Sequence, residues 1–358
     1  MIKGPKGIKG WVENLDGGLS VSLPYLAYSM LLSFSVTYIL TPRLIDFLEA
    51  AGIVGVDVMK ADRRRVAEMG GPAVVAGLLG GVFLYIGLKI FLSGGFPELI
   101  DILAALSTTL IITLIGIFDV LTSLTGRREG QEGFERLKRR GLPAWLYFLI
   151  PLPAATPLVA VNAGVSHMTL PFIGRVELGI LYPLLLIPIG VLCCSNATNF
   201  LAGFNGLEAG MGAVLHLSLG IYAMIHGREA AALLSLSFAT ALLAFLRYNW
   251  YPARIFPGDL NYIIGAVCAA STIIGNMERF AILCFTPWII EAFLKAASAF
   301  KAESYGILQP DGTLTYEGKI RGLTHIIMRL GHFKEWEVTL ILIALETLIC
   351  IGSFLLNL

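Results

Sequence analysis

The chain has 358 residues, 56% of them hydrophobic and only 14% charged, with a mean hydropathy of +0.77. A soluble globular protein carries about 25% charged residues, so this composition excludes a soluble enzyme and points to an integral membrane protein. The formal net charge of +1 offers nothing to nucleic acid, and no such partner is expected. Cys193, Cys194, Cys268, Cys284 and Cys350 all lie in apolar stretches without a Cys-x-x-Cys pair. They read as small core residues rather than a metal site or a disulfide framework.

Met1–Leu19 holds Lys3, Lys6 and Lys9 but no apolar core before Trp11, so a secretory signal is not expected there. A membrane-crossing helix needs roughly 20 mostly apolar residues. Ten segments qualify in chain order: 22–48, 72–92, 99–118, 142–162, 178–196, 207–225, 229–247, 261–275, 279–299 and 337–356. The eighth is short, which suits a tilted or partly re-entrant helix. The expected fold is one all-α polytopic membrane domain over residues 1–358, with a loop subregion at 300–336. An even number of spans puts both termini on one side.

Lysine and arginine set the orientation. Connections after the odd-numbered spans hold eighteen of them, including Lys60, Arg63, Arg64, Arg65, Arg136, Lys138, Arg139 and Arg140. The other side holds six: Lys3, Lys6, Lys9, Arg175, Arg228 and Arg279. The positive-inside rule then places the basic loops in the cytoplasm and both termini outside.

Five polar segments therefore share the cytoplasmic face. They are Gly55–Pro72, the stretch from Asp119 to Arg140, the turn Asn196-Ala-Thr-Asn199-Phe-Leu-Ala-Gly203-Phe-Asn205-Gly206-Leu-Glu208, the stretch from Arg254 to Asn261, and 300–336 with His325, Arg329, His332, Lys334 and Glu335. The asparagine turn is the most telling, because unpartnered amides in hydrocarbon cost several kcal/mol. Asp119 ends an apolar run, and Asp259 follows a glycine just before the eighth span. Either aspartate alone is an ordinary helix cap or arginine partner. Two of them with amides on one face match the oxygen donors that Mg²⁺ takes, usually one or two carboxylates plus substrate phosphates. The basic residues suit a polyanionic ligand or anionic lipid. Two readings follow: a Mg²⁺-dependent site for a phosphorylated substrate whose second reactant comes from the bilayer, and a secondary transporter. Transporters concentrate charge near the bilayer midplane, whereas polarity here gathers at one face.

These segments, in this order from about Gly52 to Val338, resemble the polyprenyl-phosphate N-acetylhexosamine-1-phosphate transferase superfamily. Asn196–Glu208 resembles its eukaryotic and archaeal dolichyl-phosphate branch; bacterial members tend to carry aspartates where this chain has Ala202 and Asn205. Phe256-Pro-Gly-Asp259 resembles the family's Phe-x-Gly-Asp, while Gly55-Val-Asp57-Val-Met-Lys60 and Glu68-Met-Gly70-Gly71 resemble its first cytoplasmic loop. The resemblance implies that Asn199 and Asp259 are the Mg²⁺ (or Mn²⁺) ligands. It implies that Gly203 and Asn205 hold the uracil end, that Phe256 stacks on it and that the Val58 backbone contacts uridine. Asp119 matches one aspartate of an Asp-Asp pair whose other position is Phe118. Arg128 falls near a phosphate-binding basic residue, and Glu68 has a supporting role. His325 best matches the last loop's histidine motif, with Arg321 and Arg329 as phosphate or sugar contacts.

The reaction so implied transfers GlcNAc-1-phosphate from UDP-GlcNAc to a membrane polyprenyl phosphate, dolichyl phosphate in this branch, and releases UMP. The alternatives are an undecaprenyl-phosphate sugar-1-phosphate transferase of envelope synthesis and the transporter. Arg128 and His325 would add positive charge near the transferred group. A phosphate monoester is largely dianionic at neutral pH, so direct attack needs positioning more than deprotonation. Asp119 then orients the acceptor or Lys60, or serves as base for a residual protonated fraction; a covalent aspartyl-phosphate is the alternative. The resemblance also implies a homodimer, in the plasma membrane of a prokaryote or the endoplasmic reticulum of a eukaryote. Pro310-Asp311-Gly312 marks a turn, and a small hairpin is expected in 301–320.

Overall fold

A computed structural model describes residues 19–125, 148–165, 167–170 and 174–357. Helix α1 (Leu19–Ala50) leads to strands β1 (Val54–Val56) and β2 (Arg65–Glu68), then to α2 (Gly71–Ser93) and α3 (Leu99–Thr125). A 3₁₀ turn, Leu152–Ala155, runs into α4 (Thr156–Ala160), followed by the hairpin β3 (His167–Leu170) and β4 (Gly174–Glu177). A π-helical turn over Tyr182–Leu186 opens into α5 (Ile187–Phe200); α6 (Leu207–Ile225) and α7 (Glu229–Asn249) come next. Strand β5 (Ile255–Phe256) precedes α8 (Leu260–Gly275), α9 (Glu278–Cys284) and α10 (Thr286–Ala296). The hairpin β6 (Ile307–Leu308) and β7 (Leu314–Thr315), α11 (Leu323–Leu330) and α12 (Glu335–Asn357) complete the chain.

The protein is an all-α, multi-pass integral membrane protein. Among the described residues, seven of the expected spans are helices long and apolar enough to cross a bilayer: α1, α2, α3, Tyr182–Phe200, α6, α7 and α12. The other three are shorter or broken, each for a visible reason. Helix α8 stops at Asn276, whose φ of +48° ends it in a left-handed cap. The ninth span is divided between α9 and α10. Pro287 has no N–H to donate and restarts the chain as the first turn of α10, while the Thr286 hydroxyl donates to the Leu283 carbonyl at 2.6 Å. The fourth is interrupted by Pro151, Pro153 and Pro157, and its first six residues lie outside the described region.

The turns sort onto two faces. On one, β1 pairs antiparallel with β2, and β2 pairs parallel with β5, so the α1–α2 and α7–α8 connections share a three-stranded sheet. On the far face the Glu98 carboxylate accepts the N–H of Ala230 in the first turn of α7, and Lys89 pairs with Glu229 at 2.6 Å. Helix α1 starts at that far face, where Ser22 accepts from Lys89, and α12 ends there, with Phe354 against Tyr222 and Phe280.

Small residues let the helices close up. On α2, Gly77 and Gly81 abut Ser33 and Thr37 of α1, where any Cβ would overlap them. On α8, Gly265 lies against the Cys194 carbonyl of α5. Lipid-facing positions such as Phe47, Phe118, Phe293 and Leu348 remain exposed, as hydrocarbon contact allows. Because backbone cannot retreat as a side-chain tip can, Gly265→Ala should destabilise the protein by about 1–3 kcal/mol through overpacking. A lowered melting temperature in detergent checks this; an unchanged one would show that α5 and α8 can separate freely.

Candidate active site

Asp259 occupies a slot built by glycines. It precedes α8, follows Gly258 (φ +58°) and is 1% exposed. Its Oδ1 accepts the Gly71 N–H at 3.0 Å, from the first turn of α2. A Cβ on Gly71 would overlap the carboxyl group, and one on Gly116 of α3 would come within 2.7 Å of the Asp259 Cβ. The other oxygen, Oδ2, is buried with no hydrogen-bond partner among the described residues. Burial, aided by the nearby Glu68 charge, pushes the Asp259 carboxyl up to about 7, although backbone N–H groups led by that of Gly71 pull the other way.

Asn199 lies in the last turn of α5, against the helix that Asp259 opens. Its Nδ2 donates to the Tyr262 hydroxyl at 3.0 Å, and Tyr262 lies one turn along α8 from Asp259. Thr198 fixes the same crossing by donating to the Asn261 carbonyl at 2.6 Å. The Asn199 bond engages its amide nitrogen and leaves ligation to Oδ1. A carboxylate oxygen and an amide oxygen are the hard donors that a divalent cation such as Mg²⁺ takes. Among the described residues no three His, Cys, Asp or Glu side chains form a cage. A cation here would therefore complete its shell from phosphates and water, which is the habit of Mg²⁺.

Asp119 is half-buried, one turn beyond Gly116 on α3, and its neighbour Val120 packs 3.4 Å from where a Gly258 Cβ would lie. Phe118, at the other position of the family's aspartate pair, is 66% exposed and points away. Glu68 and Phe256 meet over Gly55: a Cβ there would be 2.7 Å from Glu68 Oε2 and 3.0 Å from the Phe256 ring.

The asparagine turn is held by its polar groups. Gly203, with φ of +111°, donates its N–H to Glu208 Oε1 at 2.7 Å, and a Cβ would strike the Tyr305 ring at 2.8 Å. Asn205 is 3% exposed and engaged at every polar group. Its N–H donates to Glu335 Oε1 (2.8 Å), its carbonyl accepts from Thr339 (3.1 Å), its Oδ1 accepts the Ala253 N–H (2.6 Å), and its Nδ2 donates to Asp57 (3.4 Å). Lys60 is 8% exposed between Asp57 (3.1 Å) and Glu335. Beside them opens a cavity of about 650 Å³ lined by Val58, Lys60, Glu303, Tyr305, Tyr316 and Glu317, among others.

The last connection contains the expected hairpin, β6 against β7 with Leu308 opposite Leu314, turning at Gly312 (φ +83°). Here His325 departs from its expected part. It is fully buried, stacked on Tyr316 at 3.6 Å between ring centres; Nε2 donates to the Glu303 carbonyl (2.8 Å) and Nδ1 accepts the Arg321 N–H (3.2 Å). Both ring nitrogens are engaged in the neutral form. Burial, followed by the Lys295 charge, lowers its pKa to about 4. The ring therefore carries no positive charge at neutral pH; it braces the loop. Arg329 donates to the carbonyls of Gly318 (2.6 Å) and Glu317 (3.2 Å) at the cavity wall, and Arg321 is half-buried beside it. Arg128 lies outside the described residues.

Asn199 is tied through Tyr262 to the helix that Asp259 opens, and Asp119 lies one turn beyond Gly116, which abuts Asp259. Val58 and Lys60 line the cavity, Gly203 lies against its Tyr305 wall, and Asn205 is held by Asp57 and Glu335. Sequence reasoning missed Tyr262, Tyr305 and the pairing role of Glu335. Tyr262 was accessible from its i+3 spacing to Asp259; Glu335 lies 275 residues from Lys60, and no sequence signal joins them.

Fold and site together define a polytopic membrane protein whose polar connections meet at one face around a buried carboxylate, an amide and a cavity. Residues 102–276 match glycosyl transferase family 4. A protein of Sulfolobus acidocaldarius, provisionally named as a UDP-N-acetylglucosamine–dolichyl-phosphate N-acetylglucosaminephosphotransferase, is 32% identical over 334 residues, covering 92% of this chain and 96% of its own. The Dictyostelium discoideum enzyme of that name is 27% identical over 308 residues, 74% of this chain and 70% of its own. The phospho-N-acetylmuramoyl-pentapeptide-transferase of Shouchella clausii is 27% identical over 271 residues, 74% and 80% of the two chains. The chain belongs to glycosyl transferase family 4.

The neutral His325 sets a pH dependence whose sign is fixed. Its folded pKa lies below the unfolded value of about 6.5, so the unfolded chain takes up the proton first. Stability should be intact above about pH 6.5 and decline as pH falls toward 4. Thermal melts of wild type and His325→Gln across that window check it: the variant should show a shallower acid loss, and parallel curves would refute the assignment.

Proposed function

We propose that the protein transfers N-acetylglucosamine-1-phosphate from UDP-N-acetylglucosamine to dolichyl phosphate, giving dolichyl-diphosphate-N-acetylglucosamine and UMP. The observation that carries this reading is the buried Asp259 Oδ2, without a partner among the described residues, within a chain 32% identical to the archaeal relative over nearly its whole length. In this reading the site faces the cytoplasm at the end of ten crossings, as eighteen lysines and arginines against six favour.

Asp259 Oδ2 and Asn199 Oδ1 would hold Mg²⁺. When bound, it neutralises the diphosphate and the charge on the departing UMP oxygen. The cavity takes the nucleotide half, with Val58 and Tyr305 in its wall and the Gly203 turn packed behind Tyr305. An oxygen of the dolichyl phosphate attacks the sugar-bearing phosphorus. A new P–O bond forms, the bond to the bridging oxygen breaks, and UMP leaves with that electron pair. Since the attacking phosphate is mostly dianionic at pH 7, Asp119 acts chiefly by orienting it at the rim of the slot. Arg128 supplies positive charge to the transferred group, a part that a buried neutral His325 does not share.

Incubation of purified protein with radiolabelled UDP-N-acetylglucosamine and dolichyl phosphate should move label into the organic phase with stoichiometric UMP, and EDTA should abolish it. Asp259→Asn and Asn199→Ala should each lower kcat by about 100-fold or more, the scale for losing a ligand or a fixed transition-state charge. EDTA-resistant transfer, or an Asp259→Asn variant of normal rate, would defeat the metal assignment.

A further inference from the structure

The first connection and the last long helix meet in a charge cluster for which the transfer itself has no use. Lys60 Nζ lies 3.1 Å from Asp57 Oδ2, pairs with Glu335 Oε2 and sits 4.3 Å over the centre of the Tyr251 ring. None of the three charged residues is more than 8% exposed. The other Glu335 oxygen accepts the Asn205 N–H at 2.8 Å. One turn later on α12, Thr339 donates to the Asn205 carbonyl at 3.1 Å. Helix α12 therefore grips the Asn205 backbone from both sides, and Lys60 ties that grip to the Asp57–Val58 strand end that walls the cavity.

The charge count rules out a phosphate contact for Lys60. One ammonium faces two carboxylates and an aromatic ring, so the cluster is net negative and would repel a diphosphate. A lysine acting on phosphate needs uncompensated charge; this one has its donors committed.

We propose that Lys60 and Glu335 form a buried positioning clamp. It sets the 203–206 turn against the Asp57–Val58 backbone and so governs affinity for the nucleotide half of the donor without touching the transferred phosphate. This rests on the UDP-sugar reading above.

The test is a set of steady-state measurements on the full chain, with KM for UDP-N-acetylglucosamine, KM for dolichyl phosphate and kcat determined separately and melting temperatures recorded. Glu335→Gln keeps an acceptor for the Asn205 N–H and leaves Lys60 matched to Asp57, so donor KM should stay within about threefold. Glu335→Ala strands that amide and should raise donor KM about tenfold or more. Lys60→Met leaves two buried carboxylates without a cation and should do at least as much, about tenfold. The double variant Lys60→Met with Glu335→Gln removes one of those carboxylates and should return donor KM to within about threefold of Glu335→Gln alone. Acceptor KM and kcat should move less than about twofold throughout.

A Lys60→Met variant that loses kcat and is not recovered in the double would make Lys60 a reacting group and overturn the clamp. Equal rises in both KM values would also overturn it, as a general loosening of the fold. If Lys60→Met does not fold, the contrast between Glu335→Ala and Glu335→Gln decides, and equal donor KM values defeat the proposal. Absence of turnover by wild type defeats the donor reading and the clamp with it; wild-type turnover with an unrecovered double defeats the clamp alone.

Discussion

A carboxylate buried away from cationic side chains needs the backbone to come to meet it, and Asp259 is met from two directions. It stands at the start of α8, and the first turn of α2 donates the Gly71 N–H to it. Two helix N-termini, each with about half a positive charge of dipole, converge on one side chain. The approach exists because Gly71 and Gly116 offer no Cβ to block it. The compensation is partial: Oδ2 remains unpartnered, and burial holds the carboxyl up to about 7. Placing a cation there would complete what the two dipoles begin. The α5–α8 crossing serves the same end, since the contact of Gly265 with the Cys194 carbonyl and the bond from Thr198 to Asn261 carry Asn199 to its place.

This constraint explains why the site-forming helix is so short. At about 1.5 Å per residue, a 16-residue α8 is roughly 24 Å long, less than a hydrocarbon core of about 30 Å. A lipid-facing helix of that length would leave polar ends in hydrocarbon. Helix α8 is buried along nearly its whole length, so its ends are enclosed by protein. The β1–β2–β5 sheet then ties the first and fourth polar connections together, fixing Phe256 relative to Glu68.

The helical plan was legible because hydrophobic length is a local property. The segments 72–92, 207–225 and 229–247 correspond to α2, α6 and α7 within two residues, and 99–118 to α3, which runs on to Thr125. The break between α9 and α10 was legible in principle from Pro287, but the apolar run on either side masked it. The β6–β7 hairpin was legible from Pro310-Asp311-Gly312, whereas the β2–β5 pairing was not, since it joins connections more than 180 residues apart and no period survives in so short a run. Of the site, Asp259 and Asn199 stood out in their motifs, and the tie from Asn199 to α8 through Tyr262 became visible only in the α5–α8 crossing. His325 was misjudged in role because a sequence cannot show that both ring nitrogens are already engaged. The buried state of Lys60 was hidden for a related reason, as its second partner lies at the opposite end of the chain.

The cluster around Lys60 also gives physical meaning to the asparagine at 205. In the resembling bacterial sequences an aspartate tends to stand there. In this fold such an aspartate would face Asp57, to which the Asn205 amide now donates, and would add a third buried carboxylate to a cluster with a single ammonium. Its side chain would keep the Ala253 N–H but lose the donor that quiets Asp57. Repulsion among three buried carboxylates is not relieved by one lysine, so one of them would have to take up a proton or be replaced. The residue at 205 is therefore coupled to those at 57 and 335. An asparagine there belongs with a pair of acids around Lys60, and a chain with aspartate at this position has to balance the same charge with different partners.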